Sequence, residues 1–145
     1  MATVNVYLTF NGNTEEAFNF YKSVFGGDFT YLGRFKDMPA DENCSPPSED
    51  KGNSITHVSL PISKETILMG SDSTSFSGDV TFGNNFSVSI NTNSKEEADK
   101  LFNGLSANGT IIMPMEKTFW GAYFGMFTDK FGINWMVNFD EVPAN

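Results

Sequence analysis

A short motif that occurs twice constrains the fold of this chain most: Glu15-Glu16-Ala17 returns as Glu96-Glu97-Ala98. In each half the motif follows a segment in which apolar and polar residues alternate, a pattern typical of a half-buried strand, and it opens a segment with apolar residues at helical spacing. The helical apolar sets are Ala17, Phe18, Tyr21 and Val24, then Ala98, Leu101, Phe102 and Leu105. We therefore predict two copies of one unit, a strand followed by a helix.

Three further strands are predicted after each helix, beyond Gly26 in the first half and Gly109 in the second, because glycine commonly ends helices. They cover residues 29–35, 55–62 and 67–71, then 110–115, 123–128 and 134–139. The predicted fold is α+β, with two βαβββ modules that form curved mixed sheets around a cleft. We expect one domain over residues 1–145, with module one at 1–72, a linker at 73–85 and module two at 86–145.

Two segments resemble a known family. Residues 119–135 read as strand, tight turn and strand, because aromatic and apolar residues flank Asp129-Lys130-Phe131-Gly132. The second segment is Arg34-Phe35-Lys36-Asp37-Met38-Pro39. Together they resemble the PhnB-like branch of the vicinal oxygen chelate superfamily, which includes glyoxalases, bleomycin-resistance proteins and extradiol dioxygenases. The resemblance spans almost the whole chain and implies paired modules around a ligand cleft.

The charge balance narrows the choice of partners. Nine Lys and Arg residues stand against eighteen Asp and Glu residues, a net charge of −9, which repels phosphate backbones and anionic membranes. We expect no nucleic-acid or membrane partner and a cytoplasmic location, since no signal peptide or long apolar run is present. The single cysteine, Cys44, lies in a polar loop and is interpreted as an incidental thiol.

The resemblance also implies a divalent metal held by His, Gln or Glu on the first and last strands of each module. At those positions this chain has Val6 or Tyr7, Ser87, Met69 and Met136. Asn138 and Asp140 do not complete a set of three convergent donors. We therefore expect no metal site. We also expect no cofactor, because no Gly-rich turn between a strand and a helix suits the nucleoside cofactor implied by the methyltransferase name that some PhnB-like proteins carry.

Strand alternation predicts which residues face the cleft. The helices are expected to cover Val4, Val6, Leu8, Val58, Leu60, Ile62, Val88 and Ile90. Ile55 is expected to face the cleft beside His57 and Ser59. The predicted ligand-binding residues are Tyr7, Thr9, Arg34, His57, Ser59, Met69, Ser87, Ser89, Trp120 and Met136.

His57 is the candidate catalytic residue, because an imidazole is the most frequent general acid or base. Its alternative is a structural histidine that hydrogen-bonds Ser59 or a backbone carbonyl. Arg34, which shares a strand face with Leu32, either meets an anionic ligand group or neutralises a neighbouring acid. The aromatic and methionine residues, including Phe119, Met113 and Met115, form either an adaptable ligand wall or plain core.

Two functions of different classes remain. The first is binding of a small molecule in the sheet cleft without a catalytic metal, with a cationic ligand favoured by the acidic chain. The alternative is a metal-dependent lyase or dioxygenase of glyoxalase type with an atypical ligand set. Fifteen Phe residues in 145 predict apolar edges that a homodimer would cover. The polar loop at 36–54 is interpreted as padding, a dimer contact or a lid.

Overall fold

The computed structural model describes residues 2–37, 53–73 and 78–141. Cys44 and most of the predicted 36–54 loop lie outside these ranges. The chain divides after Thr81 into two compact units, residues 1–81 and 82–145, which we call the first and second modules. Within the described ranges, neither module has a helix with the length and apolar character that a membrane span requires.

The first module has the predicted order of elements, βαβββ, with a short 3-10 helix, Phe35–Asp37, after its second strand. The elements are β1 Val6–Phe10, α1 Thr14–Phe25, β2 Tyr31–Arg34, β3 Ile55–Pro61 and β4 Ile67–Asp72. The four strands form one sheet, sheet 1, in the order β1-β4-β3-β2, in which only β1 and β4 run parallel.

Helix α1 covers one face of sheet 1, and Gly70 identifies that face. A Cβ built on Gly70 would lie 2.7 Å from a ring carbon of Phe18, so the glycine makes room for the helix. Leu8 and Val58 pair with Gly70 across the sheet and share its face. The helix residues Ala17, Phe18 and Tyr21 are fully buried, as the helical spacing predicts. We call this side the helix face and the opposite side the open face.

A buried carboxylate joins the start of α1 to the sheet. The Asp72 Oδ1 atom accepts hydrogen bonds from Thr14 N at 3.0 Å and Thr14 Oγ1 at 2.6 Å, and Oδ2 accepts one from Ile55 N at 2.8 Å. Anionic groups are favourable at a helix N-terminus because the first N–H groups there have no partner within the helix. Asp72 therefore fixes β3, β4 and α1 together, a function that Asn13, without a side-chain capping bond, does not supply.

Two predicted positions in the first module are wrong. Val4 is 94% exposed and precedes β1, so the helix does not cover it. Ile55 does not share a face with His57, because the register shifts there: Gly33 pairs with His57 but Arg34 pairs with Ile55. The extra residue in β3 is a β-bulge that turns Ile55 to the helix face, where it is buried.

The second module repeats the βαβββ order. The elements are β5 Val88–Asn91, α2 Lys95–Ser106, β6 Thr110–Lys117, β7 Ala122–Thr128 and β8 Asn134–Asp140. The four strands form one sheet, sheet 2, in the order β5-β8-β7-β6, in which only β5 and β8 run parallel. Ser94 caps α2 by accepting a hydrogen bond from Glu97 N at 3.1 Å, the bond typical of a capping box.

Helix α2 packs on sheet 2 through the predicted apolar residues Ala98, Leu101, Phe102 and Leu105. Gly125 marks the helix face, because a Cβ there would lie 2.8 Å from the Phe102 ring. Tyr123 lies on the same face and donates a hydrogen bond to Asp99 at 2.6 Å, which raises the pKa of Tyr123 to about 12. The left-handed residue after α2 is Asn108, with φ 61°, and not Gly109.

The predicted turn between β7 and β8 is present. Asp129 N bonds Ile133 O at 2.8 Å, and Gly132 has φ 94°, the left-handed conformation that favours glycine. The Asp129 carboxylate is buried inside the turn and accepts hydrogen bonds from Phe131 N at 2.8 Å, Ile133 N at 3.0 Å and Trp135 Nε1 at 2.8 Å. The turn is therefore anchored to the core of the second module.

Candidate functional site

The open face of sheet 1 carries one row of side chains in register across all four strands. Tyr7 pairs with Met69, Met69 with Ser59, and Ser59 with Tyr31. These residues alternate with the helix-face residues, so their side chains turn away from α1. Four predicted or newly found residues are thereby adjacent.

His57 lies on the same open face, as strand alternation predicts for it. Its ring centroid is 5.6 Å from that of Tyr7 and 5.8 Å from that of Tyr31, with tilted planes. Its Nε2 atom lies 2.8 Å from Ser59 Oγ. We call Tyr7, His57 and Tyr31 the aromatic row. The Nε2 atom of its histidine is hydrogen-bonded to Ser59.

Gly33 brings Tyr31 close to the histidine. It lies opposite His57, and a Cβ built on it would be 2.8 Å from the Tyr31 hydroxyl oxygen. The Tyr31 ring therefore leans along the strand over the space that a side chain at residue 33 would fill. This close approach needs glycine for lack of a Cβ rather than for a positive φ.

The polar tips of this row are available. Tyr7 is 47% and Tyr31 56% exposed, and neither hydroxyl has a hydrogen-bond partner among the residues that the structure describes. The same holds for His57 Nδ1 within those ranges. The row thus offers two phenol hydroxyls and one imidazole nitrogen beside three aromatic faces, a combination suited to a flat ligand with a polar edge.

Arg34 is separated from this row, because it lies on the helix face of β2. Its guanidinium forms an ion pair with Glu15 of α1, and Nη1 donates to Asn53 O at 3.0 Å. The hydrogen bond with Glu15 raises the pKa of Arg34. Of the two roles predicted for Arg34, the structure therefore favours the second, in which it neutralises a neighbouring acid, Glu15. Thr9 lies on the open face of β1, one row beyond Tyr7.

The open face of sheet 2 has a different character. Met113 pairs with Met126, Met126 with Met136, and Met136 with Ser89, so three methionines and a serine form one row. The ring centroid of Trp120 lies 6.3 Å from that of Phe124, which is on this face. Ser87 precedes β5 and is outside the row. Met115, predicted as part of the same apolar wall, faces the helix instead, with its Sδ 2.7 Å from a Cβ built on Gly125.

Sequence reasoning missed Tyr31, Phe124 and Met126 as members of the open faces. The signal was present for each. Tyr31 and Gly33 alternate with Leu32 and Arg34, and Phe124 and Met126 alternate with Gly125 and Phe127. Applying the period-two rule to β2 and β7 as well as to β1 and β3 would have found them.

The residues on the open faces do not fit the divalent metal of the vicinal oxygen chelate enzymes. Met69 and Met136 hold the last-strand positions, and their partners on the first strands are Tyr7 and Ser89. Across residues 2–37, 53–73 and 78–141, no three His, Cys, Asp or Glu side chains group in a way that would hold a metal ion. Borderline and hard divalent ions require such nitrogen or oxygen donors.

The helix N-termini do not fit a nucleoside cofactor either. In the first module Asp72 occupies the N–H of Thr14, and in the second Ser94 occupies that of Glu97. The turn before α1 is Asn11-Gly12-Asn13, and the Asn11 side chain is bonded to Val80 through both its amide atoms. A cofactor site of this type needs free N–H groups at a Gly-rich turn.

Comparison with known proteins agrees with this geometry. The family model for 3-demethylubiquinone-9 3-methyltransferase matches residues 2–138. The chain is 33% identical to Protein YjdN of Escherichia coli (strain K12) over 141 residues, which covers 91% of each chain.

Solved structures show the same architecture. The crystal structure of protein PA1353 from Pseudomonas aeruginosa is 38% identical with a TM-score of 0.81, covering 97% of this chain and 98% of that one. The PhnB protein from Bacillus cereus is 26% identical with a TM-score of 0.71, covering 95% and 99%. A glyoxalase/bleomycin resistance protein from Albidiferax ferrireducens T118, at 16% identity, shares the fold with a TM-score of 0.63 over 93% and 95%. The chain therefore belongs to the PhnB-like family whose model is named 3-demethylubiquinone-9 3-methyltransferase, and it has the glyoxalase/bleomycin-resistance fold.

Proposed function

We propose that this protein binds a small organic molecule against the open face of sheet 1, without a catalytic metal. The observation that carries the proposal is the aromatic row, in which His57 stands between Tyr7 and Tyr31. Ligand sites are lined mainly by aromatic and apolar side chains with a few polar groups that fix orientation. The row supplies both in one place.

The ligand class follows from the same groups. The aromatic faces favour a planar ligand, and the tyrosine hydroxyls and His57 Nδ1, which have no hydrogen-bond partner within the described ranges, favour a polar edge. A net charge of −9 attracts cations over anions, and tyrosine faces bind cations directly. A planar, neutral or cationic compound is the best match, and binding alone would let the protein sequester it.

The test uses a property of this sequence. His57 is the only histidine, so a histidine-selective nitrogen-15 spectrum reports on this site alone. Planar aromatic probes with ammonium, neutral and carboxylate substituents should be titrated into the protein. We expect the His57 signals to shift with the ammonium and neutral probes and to shift less with the carboxylate probes.

Variants then locate the contact. His57→Ala should weaken binding of the best probe by about 1 to 3 kcal/mol, the usual cost of leaving a polar partner unpaired. Tyr7→Phe and Tyr31→Phe test the two hydroxyls, and Tyr123→Phe, on the helix face of the other module, is the matched control. A probe that binds equally to His57→Ala and to the wild type would refute the site.

We also infer that the protein is a cytoplasmic homodimer. The edge strand β6 supports the dimer, because Ile111 and Ile112 are each more than 50% exposed on a strand whose outer edge pairs with no other described strand. Sedimentation velocity at micromolar concentration is the test. Ile112→Lys should shift a dimer toward monomer, and a wild-type monomer would contradict the inference.

A further inference from the structure

The methionine row of sheet 2, Met113, Met126 and Met136, has a chemistry that the proposed ligand site in the first module does not use. The three residues belong to three neighbouring strands: Met113 pairs with Met126 between two register shifts in β6, and Met126 pairs with Met136 in regular register. Adjacent strands lie about 4.8 Å apart, and directly paired side chains on one face have Cβ atoms about 5 Å apart. Three methionine side chains are thus directed to the open face from neighbouring strands.

The row is accessible and can converge. Met113 is 41% exposed, and Met126 and Met136 are half-buried. A methionine side chain has three rotatable bonds, so the outer two can lean toward Met126 without a change in the backbone. Glu116 lies on the same face, opposite Phe124, and adds a negative charge near the row.

Thioether sulfur is a soft donor that selects soft metal ions such as Cu(I) and discriminates against hard and borderline ions. At residue 136 the family resemblance implies a carboxylate ligand, and this chain has a methionine, Met136, which places a thioether there. We propose that Met113, Met126 and Met136 form a site for a soft monovalent cation, Cu(I) or Ag(I), held by three sulfur atoms. Its residues all belong to the second module, whereas those of the proposed ligand site belong to the first.

The first experiment uses Ag(I), which requires no reductant, and protein labelled with carbon-13 at the methionine methyl groups. The chain has seven methionines. The Cys44→Ser variant should be used, because a thiol would compete for the metal. We expect the methyl signals of Met113, Met126 and Met136 to shift together and to saturate at one equivalent, while those of Met69 and Met115 do not move.

Substitutions give the second arm. Met→Leu is close to volume-conserving and should preserve the fold. Loss of any one of the three sulfurs should weaken Ag(I) binding by about tenfold or more, in the range seen when a metal site loses a supporting group. Met115→Leu is the matched control, because Met115 lies on the same strand and faces the helix. Cu(I) competition with a chromophoric chelator under reducing conditions should give the same ranking.

The outcomes separate clearly. Coordinated shifts of the three methyl signals, with no effect of Met115→Leu, support the site. No shift with excess Ag(I), equal shifts of all seven methyl signals, or equal losses from Met115→Leu and Met126→Leu would overturn it.

Discussion

Replacing Asp129 by Asn tests how the hairpin of the second module is held in place. The change keeps the shape of the side chain but removes its charge and exchanges one acceptor oxygen for an NH2 donor. The carboxylate now accepts two backbone N–H groups with Oδ1 and the Trp135 indole with Oδ2. In either orientation of the new amide, its NH2 group faces an N–H group that donates a hydrogen bond to the Asp129 carboxylate in the wild type.

The size of the effect follows from these bonds. A hydrogen bond to a charged acceptor contributes about 1 kcal/mol more than one to a neutral acceptor, and two bonds of this kind become neutral. Loss of the hydrogen bond from the buried Trp135 indole costs about 1 to 3 kcal/mol more. Both side chains are buried, so water does not replace the lost partner. We expect Asp129→Asn to lower the free energy of unfolding by about 3 to 5 kcal/mol.

Urea unfolding followed by far-ultraviolet circular dichroism is the assay, because it does not depend on tryptophan emission. In the Trp135→Phe background the indole donor is gone, and Asp129→Asn should cost about 1 to 3 kcal/mol less there. Asp28→Asn makes the same chemical change at an exposed carboxylate and should be nearly neutral. An Asp129→Asn variant as stable as the wild type, or an equal cost in both backgrounds, would refute the role of the carboxylate.

Three further outcomes are expected. Tyr123→Phe should remove the stability that the hydrogen bond to Asp99 gives to the neutral phenol. Because folding raises the pKa of Tyr123 from 10.0 to about 12, this contribution is complete below pH 10 and disappears as the pH rises through 12. The urea midpoints of the variant and the wild type should therefore converge over this interval. Gly70→Ala should lower the free energy of unfolding by about 1 to 3 kcal/mol through overlap with Phe18, whereas Gly83→Ala, with ordinary spacing, should not; thermal unfolding measures both. Purified protein should carry less than about one tenth of an equivalent of Zn, Ni, Fe or Mn, and a stoichiometric amount by elemental analysis would favour the metal-dependent alternative.

The sequence predicted all eight strands and both helices of the described residues to within a few positions, because their signals are local. Alternation in β1 and helical spacing in α1 each depend on residues that are close neighbours in the chain. The hairpin turn was likewise visible in Asp129 and Gly132. Such features need no knowledge of what packs against them.

Features that depend on distant residues were not predictable. Asp72 stabilises the start of α1 from 58 residues away, and no local capping rule finds it. The bulge beside Gly33 turns Ile55 to the helix face, because one extra residue reverses a count of two. Arg34 was selected for its charge, yet its position in β2 directs it to Glu15. Chemistry suggested the candidate, and strand geometry decided its neighbours.

The two modules meet the same packing requirement with residues at different positions. On each helix face the third and fourth strands pair a glycine with a valine: Val58 with Gly70 in the first module, and Gly125 with Val137 in the second. The glycine has moved to the other strand of the pair.

The phenylalanine that fills the gap has moved as well. Phe18 packs over Gly70 from the second turn of α1, and Phe102 packs over Gly125 from about one turn later in α2. Close packing tolerates this exchange, because what it requires is one ring in one gap and not a residue at a fixed position. Each helix face is thus constrained as a whole. The open faces carry no such constraint from the helices, and this freedom explains how a repeated frame presents tyrosines and a histidine in one module and a row of methionines in the other.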